Sequence, residues 1–399
     1  MTQTDSLSEI AEIIPGYAFK STWFGCGNEK IIRISDIQNN QIHSENAISF
    51  DANIHPVSKR YQIQEGDILM ALSGATTGKI GIAQKKDNGA YLNQRVAIIR
   101  GKNQINSRFL KYVFSGNRLN TLLLSAGGAA QANLSPKDLA MMQIPIPPLE
   151  DQNHIAMILD KADEVRRKRQ QAIELSEQLL RSVFLDMFGD PVSNPKKYKI
   201  GKIGDLLSSI NYGTSAKAGE EGKYPILRMN NITYEGDWNL KSLKYIDMTE
   251  KERQKYTAVL GDILFNRTNS KELVGKTAVF RETKPYIFAG YLIRSKTNSL
   301  AEPEYISGFL NSTYGKAVLR NMCKSIVGMA NINAQEYQSI EILIPPIEEQ
   351  QKYVKITKKI REQVSCYQRA LSKLDQLFNS LSQQAFSGEL SKQSETELV

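Results

Sequence analysis

Few side chains in this sequence are of the types that carry out catalysis. The three histidines are His43, His55 and His154, and neither an HExxH motif nor a zinc-spaced Cys/His cluster surrounds them. We interpret His154, which lies at the start of a predicted helix, as a polar helix residue. A nucleophilic pair of Cys26 with a histidine stays a minor alternative. An Asn-Pro-Pro-aromatic or Asp-Pro-Pro-aromatic motif, which an amino-methyltransferase would need to hold a flipped base, is also missing.

Two loops resemble parts of a phosphate-binding loop. In the second half of the chain the letters VGKT match the end of GxxxxGK[ST], but Ser270 stands where the first glycine belongs. In the first half GATTGKI is one residue short. Without the glycine turn, backbone amides cannot surround a phosphate, so nucleotide binding is the weaker interpretation. We expect a strand–turn–strand in each repeat, which is either purely structural or contacts DNA, with Lys79 or Lys276 supplying charge.

Basic and polar side chains cluster near these two loops. Arg, Asn, Ser and Thr are the types that reach base edges, whereas Lys mostly contacts phosphate. For each single residue a solvated surface position remains the alternative. The candidate DNA contacts are Arg33, Ser73, Thr76, Thr77, Lys79, Lys85, Lys86 and Arg95 in the first half, and Arg228, Asn266, Arg267, Thr268, Asn269, Lys271, Lys276 and Arg281 in the second.

The composition is that of an ordinary globular protein with a basic surplus. The chain has 399 residues, 41% hydrophobic and 23% charged, which suggests two or three domains and excludes a disordered, collagen-like or disulfide-rich chain. The net charge of +9 weakly favours an anionic partner such as nucleic acid. No apolar run approaches the ~20 residues of a membrane span, we see no signal peptide, and the three cysteines lie far apart. We therefore expect a cytoplasmic protein without a membrane partner.

The two halves of the chain repeat each other. The matching segments keep their order, and chance does not produce so many matches in register. They are IIRISDI (31–37) with ILRMNNI (226–232), GDIL (66–69) with GDIL (261–264), GK (78–79) with GK (275–276), ANL (132–134) with ANI (330–332), and IPPLEDQ (146–152) with IPPIEEQ (344–350).

Each half opens with a segment of mixed strands and helices. Short runs rich in β-formers predict strands, and apolar residues at three- and four-residue spacing predict helices. The predicted strands are 31–37, 68–72, 91–100, 226–232, 263–265 and 286–294, and the predicted helices are 106–124 and 304–322.

A long helix is predicted to close each half. No Gly or Pro interrupts residues 149–188 or 347–387, each run follows a Pro-Pro pair and begins with acidic residues, and each ends at a glycine. About forty residues give a helix of roughly 60 Å. So long an amphipathic helix cannot bury its apolar face alone, and we expect the two to pair as an antiparallel coiled coil. For the basic run 166–169 we favour a solvated or partner-facing surface over one that faces DNA.

Heptads fit the two long helices moderately well, with Arg169 and Ser176 as breaks. The predicted seam residues are Ile155, Ile158, Ala162, Val165, Ala172, Leu179 and Val183 in the first helix and Tyr353, Ile356, Ile360, Ala370, Leu374, Leu377 and Leu381 in the second.

Together these features predict an α+β fold with two similar recognition domains and a pseudo-twofold axis. The first helix leads from one domain to the other, and the second returns to the first domain. Such a pair of readers matches the dyad symmetry of duplex DNA. The predicted parts are a first domain (1–146), a first long helix (147–189), a second domain (190–344), a second long helix (345–388) and a C-terminal tail returning toward the first domain (389–399).

The IPPLEDQ and IPPIEEQ helix starts, the SEIAEIIPGYAFKS opening and the GDIL strands resemble the specificity subunit of Type I restriction–modification enzymes. The resemblance implies that each domain is a target recognition domain that reads one half of a bipartite site in double-stranded DNA. It implies that the coiled coil sets the spacing and carries two modification (methyltransferase) subunits. It further places S-adenosylmethionine on those subunits and ATP-driven cleavage on separate restriction subunits, leaving this chain without a cofactor and without catalysis. The family's recognition residues vary, so none carries over by motif.

Two other interpretations stay open. One is a stand-alone DNA-binding or coiled-coil scaffold protein without methyltransferase partners. The other is an enzyme whose glycine–lysine loops hold a nucleotide, in which case a nucleotide would raise the melting temperature.

Overall fold

A computed structural model describes residues 4–38, 40–115, 119, 134–326 and 329–390. The chain divides into two compact units, one formed by Met1–Arg169 with Ala370–Val399 and the other by Gln170–Arg369. Each unit therefore combines a mixed α/β domain with parts of both long helices. Within the described ranges, no helix has both the length and the apolar character required to cross a membrane. The predicted tail beyond residue 390 and most of the predicted helical segment after residue 115 lie outside the described residues.

The strands of the first unit form a central antiparallel sheet and three smaller sheets. In spatial order, the central sheet is Ala11–Pro15, Val96–Gly101, Ile68–Ala71 and Ile80–Ile82, and the others are Ile48–Phe50 with Glu29–Ile32 and Tyr91–Leu92, Ile37–Gln38 with Gln41–Ile42, and Thr4–Ser6 with Gln143–Pro145.

The second unit repeats this plan. Its central antiparallel sheet is Leu207–Tyr212, Leu292–Thr297, Ile263–Asn266 and Thr277–Val279, and the others are Lys244–Ile246 with Tyr224–Leu227, Tyr286–Phe288 and Thr257–Ala258, then Thr268–Asn269 with Met329–Asn331 and Lys324–Ile326, and Lys199–Lys202 with Glu341–Ile344.

The helices within the domains are short, and each domain is followed along the chain by a long helix. The α-helices are Leu7–Ile10, Ser107–Val113, Pro136–Met141, Leu149–Phe188, Glu250–Tyr256, Pro303–Asn311, Thr313–Met322, Ala334–Ser339 and Ile347–Ser387, and the 3-10 turns are Ser21–Trp23, Ile34–Asp36, Ser44–Asn46, Lys59–Tyr61, Gly74–Thr76, Lys85–Asp87, Ile203–Leu206 and Met229–Asn231.

Three of the predicted continuous elements are broken by side-chain hydrogen bonds. The predicted strand 31–37 ends at Ile32, because the Arg33 N–H turns to the Asp36 carboxylate at 2.9 Å. The same turn follows Leu227, where Asn231 accepts from the backbone at 2.9 Å. The predicted helix 304–322 is two helices, separated at Ser312, whose hydroxyl accepts from the Gly315 N–H at 3.0 Å. The predicted strands 91–100 and 286–294 are likewise two strands each, separated by turns at 93–95 and 289–291.

The repeated GDIL motif places a buried carboxylate directly before a strand of each central sheet. Asp67 accepts from the Gln64 N–H at 2.7 Å and pairs with Arg100 through two contacts of 2.8 and 2.7 Å. Asp262 accepts from the Val259 N–H at 3.0 Å. The glycine before each aspartate has a φ near +90°, which suits glycine best. The motif is thus a turn in which a buried aspartate accepts a hydrogen bond from the backbone, and a core strand follows this turn.

The two long helices run antiparallel, as predicted. In the first unit, Arg166 of the first helix contacts Asp375 of the second at 2.7 Å and lies over the Phe378 ring at 4.4 Å. In the second unit, Phe184 and Phe188 of the first helix pack on Tyr353 of the second, with ring centroids 5.8 and 5.4 Å apart. The early part of each helix therefore packs beside the late part of the other. The α+β fold class predicted from the sequence is confirmed.

Both helices follow a heptad pattern that agrees with one of the two predicted series of seam positions and not with the other. The exposed members of the other series are Val165 (43%), Leu179 (48%), Ile356 (39%) and Leu377 (54%). The predicted series that is buried or half-buried contains Ile155, Ala162, Arg169, Ser176 and Val183 in the first helix, and Tyr353, Ile360, Tyr367, Leu374 and Leu381 in the second. The seam is completed by a series that was not predicted, which contains Gln152, Leu159, Arg166, Ile173 and Leu180 in the first helix, and Gln350, Thr357, Val364, Leu371, Phe378 and Ala385 in the second. Polar residues stand at several positions of this series, so apolar residues alone do not reveal it.

The observed seam predicts unequal costs for the same substitution along the first long helix. Leu159 is fully buried, whereas Leu175 is 63% exposed. We expect Leu159→Ala to lower the free energy of unfolding by about 2–5 kcal/mol, because it removes buried methyl groups and leaves a cavity. Leu175→Ala is the matched control and should change it by less than about 0.5 kcal/mol. Denaturant unfolding of both variants checks this, and equal losses would contradict the observed seam.

Candidate nucleic-acid interface

The two glycine–lysine loops have the same backbone conformation, but their lysines lie in different environments. Gly78 and Gly275 both have φ near +80°, and each N–H bonds to the end of the preceding core strand at 2.9 and 2.8 Å. In both halves the loop joins two antiparallel strands, as the structural interpretation predicted. Lys79 is exposed. Lys276 is only 7% exposed, and its ammonium donates to two backbone carbonyls at 2.8 and 2.6 Å.

In the second domain, the turn 289–291 lies between two arginines. The Ala289 N–H donates to the Leu227 carbonyl at 2.9 Å, directly before Arg228. The Arg267 N–H donates to the Tyr291 carbonyl at 3.0 Å. These two backbone contacts place both arginine positions beside one turn.

The side chain of Arg267 at this edge is held in place by its neighbours. The guanidinium of Arg267 lies 4.9 Å from the centre of the Tyr212 ring, and the Tyr212 hydroxyl is itself fixed by the Ala334 N–H at 2.9 Å. The Nε atoms of Arg267 and Arg228 are buried and have no hydrogen-bond partner among the described residues. Tyr291 is 51% exposed at the tip of the turn. A half-buried guanidinium that is fixed by stacking is arranged to donate to an acceptor from outside.

The first domain builds the same edge from different residues. The Asn93 N–H donates to the Ile32 carbonyl at 3.0 Å, directly before Arg33, and the Leu72 N–H donates to the Arg95 carbonyl at 2.9 Å. Arg95 therefore stands where the second domain has Tyr291, and it is exposed. Equivalent backbone positions thus present different chemistry in the two domains.

Arg33 and Arg228 match in sequence but differ in their partners. Arg33 contacts the Asp36 carboxylate at 3.4 Å, and its side chain is 39% exposed. In the second domain Asn231 takes the place of that aspartate and uses its amide oxygen on the backbone. Among the described residues, Arg228 therefore lacks the carboxylate partner that Arg33 has.

The remaining candidates spread over the surrounding turns. Thr76 and Thr77 bond to the turn that contains them, at 3.4 and 2.8 Å. Thr268 bonds to Asn331 at 2.9 Å. Lys86 pairs with Glu45 at 3.4 Å. Lys85 and Lys271 are exposed, and Ser73 and Asn269 are half-buried.

Three of the candidates use their side chains in hydrogen bonds to other parts of the protein. Asn266 is fully buried, and its amide oxygen accepts from the backbone. Burial lowers the pKa of Lys276, and its donors are used on carbonyls. Arg281 forms a two-contact pair with Glu304 at 2.6 and 2.8 Å. Although burial opposes the charged form of both groups, their pairing raises the pKa of Arg281 and lowers that of Glu304.

Two aromatic residues of this edge, Tyr212 and Tyr291, were not predicted from the sequence, because the predicted contacts are all basic or small polar residues. A signal existed in the repeat itself, since Tyr291 aligns with the candidate Arg95. In the part of the chain that the structure describes, no group of three or more His, Cys, Asp or Glu side chains is arranged to hold a metal ion.

Residues 2–175 and 195–376 match the model of the Type I restriction modification DNA specificity domain. The two matches together cover most of the chain, so the chain belongs to this family and carries its domain twice. The resemblance identified in the sequence is confirmed, and the predicted function in DNA target recognition is that of this family.

Individual relatives agree with this assignment. The chain is 24% identical over 390 residues to the Type I restriction enzyme EcoKI specificity subunit of Escherichia coli K12, covering 91% of this chain and 82% of the relative. It is 23% identical to the StySPI specificity subunit of Salmonella potsdam, covering 98% and 89%. It shares its fold with the crystal structure of the Type I restriction–modification S subunit from M. genitalium, with a TM-score of 0.55, 14% identity and coverage of 97% and 96%.

Proposed function

We propose that this chain is the non-catalytic DNA-recognition subunit of a cytoplasmic Type I restriction–modification complex. Each domain reads one half of a bipartite duplex target. The paired long helices set the distance between the halves and bind two modification subunits, which hold S-adenosylmethionine. Where restriction subunits join the complex, they use the ATP.

The observation that carries this proposal is the equivalent edge in the two domains. Each edge combines a turn, 93–95 or 289–291, whose last residue is exposed, with adjacent arginines. Arginine and aromatic side chains held at a protein edge are suited to base readout and backbone contact. Because one domain presents Arg95 where the other presents Tyr291, the two domains are expected to read different sequences.

The outer face of the first long helix supports binding of a protein partner. Met157, Leu175 and Leu179 are 57%, 63% and 48% exposed. At 100° per residue they lie on one side of the helix, opposite the seam at Leu159 and Ile173. Exposed apolar side chains that share a face mark a surface for another protein.

The structure narrows the set of DNA contacts that we propose. Asn266, Lys276 and Arg281 leave the set, because Asn266 is fully buried and the charged groups of Lys276 and Arg281 are bound to other parts of the protein. Two aromatic residues join it. The proposed contacts are Arg33, Ser73, Thr76, Thr77, Lys79, Lys85, Lys86 and Arg95 in the first domain, and Tyr212, Arg228, Arg267, Thr268, Asn269, Lys271 and Tyr291 in the second.

Arg267 is the residue of this set that we expect to discriminate bases most strongly. Its guanidinium is oriented by Tyr212, and a fixed guanidinium can donate two parallel hydrogen bonds to a guanine edge. Arg267→Ala should weaken binding to the preferred site by about 1–3 kcal/mol and relax one position of the second half-site only. Arg267→Lys should keep charge but lose most of that discrimination.

The measurement is affinity for the preferred duplex and for duplexes changed at single positions, at two salt concentrations. Arg253→Ala is the matched control, since Arg253 is an arginine of the same domain that pairs with Glu250 within its own helix. Uniform weakening across all duplexes, with a smaller salt dependence, would show that Arg267 contacts phosphate instead.

Methyl transfer tests the proposed function as a whole. We expect the purified chain alone to transfer no methyl groups, and the chain assembled with modification subunits from its own host to direct methylation to one bipartite sequence. Methyl transfer by chain freed of all partners would overturn the non-catalytic role. Methylation by the assembled complex at unrelated sequences would overturn the role in recognition.

A further inference from the structure

A buried glutamine near the start of the first long helix uses its whole amide on the backbone of the recognition domain. Gln152 is 1% exposed. Its Oε1 accepts from the Asn106 N–H at 2.8 Å. Its Nε2 donates to the carbonyl oxygens of Gln104 and Pro147 at 3.3 and 2.9 Å. One side chain therefore joins three separate points of the main chain.

The second unit contains the same arrangement. Gln350 is fully buried, and its Oε1 accepts from the Glu302 N–H at 2.9 Å. Its Nε2 donates to the carbonyl oxygens of Leu300 and Pro345 at 3.0 and 2.9 Å. In both units the acceptor is used once and both amide donors are used. We call these two sets of contacts the glutamine clamps.

Each clamp joins a recognition domain to its long helix. Asn106 and Glu302 immediately precede the domain helices Ser107–Val113 and Pro303–Asn311. The third contact is made to the Pro-Pro turn from which the long helix starts. Only a side-chain amide offers a donor pair and an acceptor together, so neither a carboxylate nor an apolar residue of the same size can make all three bonds. Removing the amide leaves three buried backbone groups without their partner.

Other contacts between domain and helix differ between the units. In the first unit, Lys111 of the domain pairs with Asp163 of the long helix at 3.4 Å. In the second unit the charges are reversed, and Glu304 of the domain pairs with Arg361 of the long helix at 3.5 Å. Each of these ion pairs therefore occurs in one unit only, whereas a glutamine clamp occurs in both units.

We propose that Gln152 and Gln350 are positioning residues that hold each recognition domain at one orientation on its long helix, so that the protein accepts only one spacing between its two half-sites. This inference rests on the proposed function. Each added base pair rotates the second half-site by about 34° about the DNA axis. A domain that turns freely on its helix would follow that rotation, and helix length would then no longer select a single spacing.

The test is selection of bound duplexes from a pool in which both half-sites and the spacer length are randomised. The full chain, assembled with its modification subunits, is compared with Gln152→Met and Gln350→Met. Methionine matches glutamine in length and removes the three hydrogen bonds. We expect each variant to keep both half-site sequences, while its preference for the main spacer over spacers one base pair longer or shorter falls at least about fivefold.

The matched control is Gln351→Met, which changes an exposed glutamine beside Gln350 and should leave the spacer distribution unchanged. If a methionine variant does not fold, Gln152→Asn keeps the amide on a shorter side chain and provides the same readout. An unchanged spacer distribution overturns the proposal. So does loss of the half-site read by the altered domain at an unchanged spacer. A wild-type complex that selects no bipartite site would instead overturn the proposed function on which this inference rests.

Discussion

Exchange of residues 1–146 for the corresponding domain of a relative is expected to replace one half of the recognised DNA site and leave the other half intact. The physical reason is that each unit has its own hydrophobic core. The first contains Ile68, Phe109 and Leu139, and the second contains Phe265 and Tyr337. The change is the largest expected for any variant of this chain, because a complete half-site specificity is replaced.

The structure adds a condition to that exchange. The first core also includes Ile155 of the first long helix and Phe378 of the second, and the Tyr112 hydroxyl donates to Asp160 at 2.7 Å. A donor domain must therefore keep the residues that contact the long helices. Sites selected by the exchanged protein provide the measurement, and exchange of 190–344 is the reciprocal control. A simultaneous change in both half-sites would contradict independent reading.

Insertion of one heptad into each long helix should lengthen the preferred spacer by up to ~3 base pairs. Seven residues add about 10 Å of helix, and a base pair occupies ~3.4 Å along the DNA axis. Insertions near Ser176 and near Leu374 keep both seams in phase, because adding seven residues preserves the heptad repeat on either side of the insertion. The gain is limited by the rotation of about 34° that accompanies each base pair.

The matched control for this experiment is an insertion into the first helix only. It displaces one seam relative to the other and should destabilise the protein rather than change its spacer. Both half-site sequences should stay the same in the doubly lengthened variant. If that variant folds and binds but still prefers the original spacer, the helices do not set the spacing.

The bounds of the long helices were predicted correctly because they depend on local chemistry. Proline before the first turn and glycine after the last define Leu149–Phe188 and Ile347–Ser387 from sequence alone. Only one of the two series of seam positions was predicted, because the other depends on which residues the partner helix covers. Thr357 is buried at a seam position, whereas Leu377, which is more apolar, is exposed.

In the candidate site, too, the sequence predicted local backbone structure but not which side chains are buried. Lys79 and Lys276 occupy equivalent positions of the same motif and the same kind of turn. Only Lys276 is buried, and it donates to the carbonyls of a neighbouring loop. The repeat predicts the turn, but the burial of the lysine depends on contacts distant in sequence. Tyr212 was missed for a related reason, since its importance comes from the position of Arg267 over its ring.

We propose that two domains of one chain read two separate parts of a DNA target. The decisive measurement is sequencing of duplexes selected by the wild-type complex from a fully randomised pool. We expect two defined blocks of different sequence, separated by an undefined stretch of constant length. A single uninterrupted block, or two blocks at variable distances, would contradict it.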